Sequence, residues 1–194
     1  MGHFKQPETY YQPDSKTFMK VTIDSMLINQ RQADPELNKL EEYHEKGVVT
    51  IVGAQRLLSE MKKRNPISYA KAMQYENVSE PFTIGMSAIG SAYISGDEEK
   101  ASFRQLSTIM FPETPLEGLS ENQQNDIMHL VGHLHSDSIY FVTRNTKDFI
   151  DEKRTNQNRN NDLSNLKRLR LKELGANILT PTELLAEVSS DNNQ

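Results

Sequence analysis

Apolar residues recur along the chain with two spacings, one typical of buried strands and one typical of helices. Short alternating or β-branched runs predict strands at residues 18–25, 48–52, 139–143 and 176–179. Amphipathic spacing predicts helices at residues 35–44, 54–64, 68–75, 97–110, 121–135, 163–174 and 181–188. Because strands alternate with helices, the pattern predicts an α/β fold, a three-layer α/β/α sandwich with a mainly parallel central sheet and a helical insertion.

Polar capping residues indicate where two of these helices begin. Asp34 precedes Pro35, so Asp34 is expected to cap the first helix and Pro35 to occupy its first position. Gly47 follows that helix and favours its end. Ser120 is expected to cap a later helix that carries Asp126 in its first turn.

The predicted elements form one domain with a polar segment at each end. Residues 1–17 are expected to be a flexible N-terminal arm, residues 18–188 the domain, and residues 189–194 a tail. Within the domain, about residues 66–118 are expected to be a helical insertion and a linker, because Gly, Ser and Pro interrupt the apolar pattern there. A chain of 194 residues is long enough for one such core.

Composition narrows the classes of protein that the chain can represent. The net charge of −5 gives no overall attraction to nucleic acid, so any such binding has to use a local patch. The absence of cysteine excludes disulfides, thiolate nucleophiles and Cys-ligated zinc. The longest uncharged run, residues 81–96, falls short of the roughly 20 apolar residues that span a bilayer. These features predict a cytoplasmic protein without a membrane segment.

Acidic residues follow or adjoin the predicted strands. Asp24 ends the first strand, Asp126 lies on the helix before the third strand, and Asp148 comes shortly after that strand. The carboxyl ends of parallel strands meet at one edge of a sheet, where ligands gather. Clustered carboxylates repel one another unless a cation offsets their charge, and Mg²⁺ or Mn²⁺ prefers such oxygen ligands. Ions of this kind can activate water and stabilise an in-line displacement at a phosphodiester.

Four segments in order resemble a PIN domain: KVTIDSML, VVTIVGAQRLLSEM, NDIMHLVGHLHSDSIYFVTRNTKDF and LKELGANILTPTELL. The resemblance covers roughly residues 19–187. It implies a metal-dependent ribonuclease, that is, an enzyme that hydrolyses RNA phosphodiesters with Mg²⁺ or Mn²⁺. Many bacterial members of this family are toxins of toxin–antitoxin pairs, so the resemblance also implies a possible antitoxin partner and a homodimer.

The resemblance assigns roles to individual residues. The acids of the family's site match Asp24, Glu60 and Asp126, which would be catalytic and would bind the metal. Ser25 and Thr143 match supporting positions. The fourth acid of the family is replaced by Asn145, which would keep an oxygen ligand but remove one negative charge. Asp148 matches a second common acid and would complete the metal shell with Asn145 or instead of it.

A basic stretch follows the third predicted strand. Between Arg144 and Lys172 the chain holds nine Lys and Arg residues against four Asp and Glu residues. One interpretation is a solvated helix face. The other is a rim that contacts RNA phosphates, with the contacts made by Arg144, Lys147, Lys153 and Arg154.

Several of these residues also have ordinary structural interpretations. Asp126 could be a first-turn acid that complements a helix dipole. His129 and His133 lie four residues apart on one helix face, but the pattern of a zinc helix is absent, which favours packing or surface histidines. Asp137 is typical of a turn. Because of Asn145, the alternative function is a catalytically silent PIN-like module that binds RNA or a protein partner.

Overall fold

The computed structural model describes residues 19–28, 33–78, 81–82, 93–94, 97–150 and 166–191. Its strands are β1 (Met19–Ile23), β2 (Val49–Ala54), β3 (Glu76–Val78), β4 (Pro81–Phe82), β5 (Tyr93–Ile94), β6 (Tyr140–Val142) and β7 (Ile178–Leu179). Its helices are α1 (Pro35–Glu45), α2 (Gln55–Arg64), α3 (Pro66–Ala72), α4 (Asp97–Met110), α5 (Glu121–Leu134), α6 (Thr146–Phe149), α7 (Leu166–Glu173) and α8 (Pro181–Asp191). Short 3₁₀ turns occupy Ser25–Leu27 and Leu116–Gly118.

Five parallel strands form the central sheet in the order β3-β2-β1-β6-β7, and β4 pairs with β5 in a separate parallel pair. The α/β prediction with a parallel central sheet is therefore confirmed. β1 is the middle strand, and Ile23 near its end faces Gly53 of β2 and Val142 of β6. The chain builds outward from β1 through β2 to β3, then returns to place β6 on the other side of β1. This reversal makes the carboxyl ends of β1 and β6 a topological switch point, the usual place for a ligand in such sheets.

Helices cover both faces of the sheet because its strands alternate their side chains. Val21 and Ile23 enter a core cluster that includes apolar residues of α1, α2 and α8. Phe141 of β6 faces the opposite side and enters a second cluster with apolar residues of α4, α5 and α7. The two clusters are the two interfaces of a three-layer sandwich. None of the helices in the described residues has the length and apolar content that crossing a membrane requires.

The two helix starts that capping residues predict agree with the structure. Asp34 caps α1 by accepting hydrogen bonds from the backbone N–H groups of Glu36 and Leu37, and Pro35 is the first helical residue. Ser120 and Gln123 form a reciprocal capping box at the start of α5. Gly47 has a φ of 67°, so it adopts the left-handed conformation that commonly follows a helix end.

Several predictions about local structure need correction. The helix predicted at residues 68–75 is α3, Pro66–Ala72, and α8 continues to Asp191, into the residues predicted to be a tail. Asp126 is the sixth residue of α5 and lies in its second turn, where the first-turn acid is Glu121. The interpretation of Asp126 as a first-turn acid is therefore wrong, because Asp126 lies five residues after the helix start at Glu121. In addition, β3 was not predicted, although it supplies an edge strand within the stretch expected to be an insertion.

Helix α5 packs tightly against the end of β2 at Gly132. A Cβ atom added there would lie 2.9 Å from the Cβ of Ala54, at the end of β2. A contact this short forces the backbones apart, because the Ala54 Cβ has no freedom to rotate away. Gly132 therefore sets the distance at which α5 packs across the carboxyl edge of the sheet.

We expect Gly132→Ala to destabilise the protein although alanine favours helices. Helix propensity alone would stabilise the variant by about 1 kcal/mol, whereas overpacking costs about 1–3 kcal/mol. The net result should be a lower urea midpoint. Asn122→Ala, at an exposed position of the same helix, is the matched control and should change the midpoint little. An increased midpoint for Gly132→Ala would contradict the tight contact.

Candidate active site

Asp24 follows β1 directly and lies at the switch point of the sheet. One oxygen of its carboxylate accepts a hydrogen bond from the backbone N–H of Met26 at 2.7 Å, which caps the 3₁₀ turn that Ser25 begins. The other oxygen accepts a hydrogen bond from the Thr143 hydroxyl, just beyond β6. The backbone N–H of Asp24 also donates to the Val142 carbonyl at 3.2 Å. These contacts connect Asp24, at the end of β1, to the end of β6. Asp24 is buried, with 4 % of its surface exposed.

The turn after β6 links Asp24 to Asp148 through a chain of hydrogen bonds. Thr143 accepts from the backbone N–H of Asn145 at 2.8 Å while its hydroxyl donates to Asp24. Asn145 caps α6, and its side-chain NH₂ donates to the Asp148 carboxylate at 2.9 Å. The Asn145 side-chain oxygen faces the Asp148 N–H at 3.4 Å. Asn145 therefore orients the Asp148 carboxylate. This is a structural role for Asn145 in addition to its predicted role as a metal ligand.

Burial and three carboxylates from other elements raise the pKa of Asp126 on α5 to about 7, and the ring of His129 lowers it. The three carboxylates are those of Asp148, Asp24 and Glu60. Burial also raises the pKa of Asp24, and the charge of Glu60 on α2 raises it further. Such effects require neighbouring charges in a partly desolvated region, so these four acids, here called the acid cluster, occupy one neighbourhood.

His129 adjoins the acid cluster, and this is the site residue that sequence reasoning missed. Its ring is buried, and its Nε2 lies 3.3 Å from Oε1 of Glu60. It follows Asp126 by three residues on α5, so both side chains lie on the same face of that helix. The three-residue spacing from Asp126 is the sequence feature that could have identified His129 as a site residue. The four-residue spacing from His129 to His133 favoured packing histidines instead.

His133 is a structural residue of the core, as the packing interpretation predicted. Its Nδ1 lies 2.6 Å from the hydroxyl of Thr22 on β1, and its ring packs edge-on against Phe141. Burial lowers its pKa to about 4, against the raising effect of a hydrogen bond to the Gly175 backbone. The imidazole is therefore neutral at pH 7. It accepts from Thr22 and donates to the Gly175 carbonyl, which leaves neither ring nitrogen for a metal.

The donor chemistry of the acid cluster fits a hard divalent cation. All its side chains offer carboxylate oxygens, and their mutual repulsion is the electrostatic cost that a cation would offset. In the part of the chain that the structure describes, however, no three His, Asp or Glu side chains already stand in an arrangement that could hold a metal ion. A cation would therefore have to draw the carboxylates of the acid cluster closer together.

No known family model, characterised protein or solved structure matches the chain. The resemblance to PIN domains therefore stays a prediction, and the acid cluster itself is the basis for assigning a function.

The predicted phosphate contacts differ in how the structure places them. The guanidinium of Arg144 lies 2.7 Å from both Asp34 and Glu36 at the start of α1. These two carboxylates compete with any phosphate for the same guanidinium. Lys147 is exposed on α6. Lys153 and Arg154 lie outside the described residues.

Lys167 brings a positive charge to the acid-bearing turn. This residue of α7 belongs to the basic stretch but was not singled out as a phosphate contact. Its ammonium donates to the backbone carbonyl of Asp148 at 3.1 Å. The basic stretch therefore reaches the edge of the acid cluster, and solvated helix faces account for only part of it.

Proposed function

We propose that the protein is a Mg²⁺- or Mn²⁺-dependent ribonuclease that hydrolyses phosphodiester bonds. The observation that carries this proposal is the convergence of Asp24, Glu60, Asp126 and Asp148 at the switch point of a parallel sheet. Clustering four carboxylates in a partly buried site costs stability through their repulsion, and carboxyl groups perturbed in this way are typical of functional sites. The choice of RNA as substrate is supported by the resemblance to PIN domains and by the basic stretch after β6.

Each residue of the site has a definable task in this proposal. Asp24, Glu60 and Asp126 would hold the cation, with Asp148 or Asn145 completing its ligands. When bound, the cation would supply activation of water and neutralisation of charge on the phosphodiester. Thr143 fixes the rotation of the Asp24 carboxylate through its hydroxyl, and Asn145 does the same for Asp148.

The phosphate backbone of the substrate requires positive charge beside the acid cluster. Lys147 lies on α6 in the acid-bearing turn, and Lys167 of α7 donates to the Asp148 carbonyl, so both are candidates for this role. Contacts of this kind hold a strand without reading its sequence, and they weaken as salt concentration rises. The proposed enzyme is therefore expected to show strong salt dependence in its KM.

Cleavage of single-stranded RNA by the purified protein tests the proposal. Cleavage should require added Mg²⁺ or Mn²⁺, stop in EDTA, and disappear in Asp24→Asn. Asp137→Asn removes an exposed acid of the turn before β6 and should cleave like the wild type. Cleavage that continues in EDTA, or that survives equally in Asp24→Asn, would refute the assignment.

A catalytically silent module that binds RNA or a protein is the second candidate. Asn145 favours this candidate, because an amide stands where the resemblance to PIN domains places an acid. The NH₂ group of that amide already donates a hydrogen bond to the Asp148 carboxylate. Calorimetric titration with Mn²⁺ separates the two functions. Saturable binding that depends on Asp24 supports the nuclease, whereas RNA binding without any Mn²⁺ binding supports the silent module.

A further inference from the structure

The contact between His129 and Glu60 joins two helices at the acid cluster. Glu60 is carried by α2 and His129 by α5, and these helices pack against each other. The His129 ring is 2 % exposed and the Glu60 side chain 13 %, so the 3.3 Å contact from Nε2 to Oε1 is shielded from water. The buried His129 ring of α5 therefore contacts the Glu60 carboxylate of the acid cluster.

This contact restrains the Glu60 side chain. Glutamate has one more rotatable bond than aspartate, so its carboxylate samples more positions when nothing holds it. A hydrogen bond from the imidazole N–H to one carboxylate oxygen restricts that motion and directs the carboxylate towards the partner helix. That helix also carries Asp126, one turn before His129.

We propose that His129 is a positioning residue, which holds Glu60 in the orientation that a divalent cation needs. The inference rests on the proposed function, because it assigns Glu60 to the ligands of that cation. His129 itself acts through Glu60. Replacing a side chain that hydrogen-bonds a metal ligand commonly lowers metal affinity by about 10- to 100-fold.

Calorimetric titration with Mn²⁺ of wild type, His129→Gln and His129→Leu tests the inference. The amide of glutamine can keep a donor near the position of Nε2, whereas leucine has none. We expect Mn²⁺ affinity to fall by about 10- to 100-fold in His129→Leu and to stay close to wild type in His129→Gln. His129→Met, a second side chain without a donor but with a more adaptable shape, should repeat the leucine result.

A double-mutant cycle with Glu60→Gln distinguishes positioning from general damage to the fold. If His129 acts through Glu60, adding His129→Leu to Glu60→Gln should lower Mn²⁺ affinity no further. A purely structural role would lower the melting temperature while leaving Mn²⁺ affinity unchanged, and that result would overturn the inference. Equal losses in His129→Gln and His129→Leu would overturn it as well.

The same titrations separate this inference from the proposed function. Wild-type protein that binds Mn²⁺ and cleaves RNA, with unchanged affinity in His129→Leu, refutes only the role of His129. Wild-type protein that neither binds Mn²⁺ nor cleaves RNA refutes the proposed function, and the role of His129 falls with it. His135→Leu, at an exposed position where α5 ends, is the matched control and should bind Mn²⁺ like the wild type.

Discussion

Asp126→Asn is expected to stabilise the metal-free protein at pH 8 and, at the same time, to abolish RNA cleavage. Both effects come from one cause, the placement of a carboxylate among other carboxylates in a partly buried site. At pH 8 the wild-type protein has to hold Asp126 ionised beside Asp24, Glu60 and Asp148. Asparagine has nearly the same shape and carries no charge, so the repulsion disappears together with one negative charge of the proposed metal site.

The expected gain in stability depends on pH in a definite direction. In the unfolded chain Asp126 ionises near 3.8, whereas in the folded protein burial, with the neighbouring carboxylates, raises its pKa to about 7. Between these values the folded state binds more protons than the unfolded state, so the free energy of unfolding falls as pH rises. The protonated Asp126 carboxyl contributes its full share of the free energy of unfolding below about pH 4. That share is lost above about pH 7. The variant lacks this dependence.

The size of the effect follows from the shift in pKa. A shift of this size corresponds to roughly 4 kcal/mol at most. Because Asp126 is partly exposed, solvent screening should reduce the observed stabilisation to about 1–3 kcal/mol at pH 8. At pH 5 the gain should fall to roughly a third of this value, because the unfolded carboxyl is by then largely ionised while the folded one is still protonated. Urea unfolding in EDTA at the two pH values measures the difference.

Cleavage should change in the opposite direction. Removing a metal-ligating carboxylate forfeits several kcal/mol of transition-state stabilisation, which corresponds to a loss of about 100-fold or more in rate. Asp137→Asn is the matched control and should change neither stability nor rate. A variant that is destabilised at pH 8 would contradict the clustering of the acids, whereas one that is stabilised but still cleaves would contradict only the role of Asp126 in catalysis.

Local signals in the sequence were sufficient for most of the fold. β1, β2 and β6 are short runs of apolar and β-branched residues, and Asp34-Pro35 and Ser120 mark helix starts that the structure reproduces. These features depend on residues close together in the chain, which is why a pattern can reveal them. β3 escaped prediction because Glu76–Val78 is a three-residue edge strand with two exposed positions, and its pairing with β2 alone defines it.

Asp24, Asp126 and Asp148 were predictable from the pattern, because the carboxyl ends of parallel strands and the starts of the helices that lead into strands lie at one edge of the sheet. Glu60 was assigned by the resemblance to PIN domains alone. The partners of those side chains were not predictable. Arg144 meets Asp34 and Glu36 more than a hundred residues away in the chain, and His129 meets Glu60 between two helices. Contacts of this kind depend on packing distances, such as the one that Gly132 sets, which no local pattern encodes.

Thr143→Val is expected to destabilise the protein and to weaken both metal binding and cleavage. Valine has the shape of threonine but no hydroxyl, so the variant removes the donor to Asp24 and the acceptor for the Asn145 N–H without opening a cavity. Leaving buried polar groups unsatisfied costs about 1–3 kcal/mol for each. We expect a loss of about 2–3 kcal/mol in total, because the exposed side of the Asn145 turn can admit water.

The pH profile of cleavage should move in the same variant. The Thr143 hydrogen bond lowers the pKa of Asp24, and burial, the larger effect, raises it. Without the hydroxyl the effect of burial is less opposed, so the pKa of Asp24 rises. A higher pH is then needed to ionise Asp24, and the rising limb of the pH–rate profile should shift to higher pH. Loss of the restraint on Asp24 should also lower Mn²⁺ affinity by about 10- to 100-fold.

Two matched variants make the Thr143 prediction specific. Thr143→Ser keeps the hydroxyl and loses one methyl group, so it should cost about 1 kcal/mol and leave the pH profile in place. Thr22→Val removes an equally buried hydroxyl from β1, one that contacts His133 instead of the acid cluster. It should lower stability without changing Mn²⁺ affinity. If Thr143→Val and Thr22→Val reduce stability alike and neither alters Mn²⁺ affinity or the pH profile, Thr143 serves only the fold, and the hydrogen bond to Asp24 has no part in the site's chemistry.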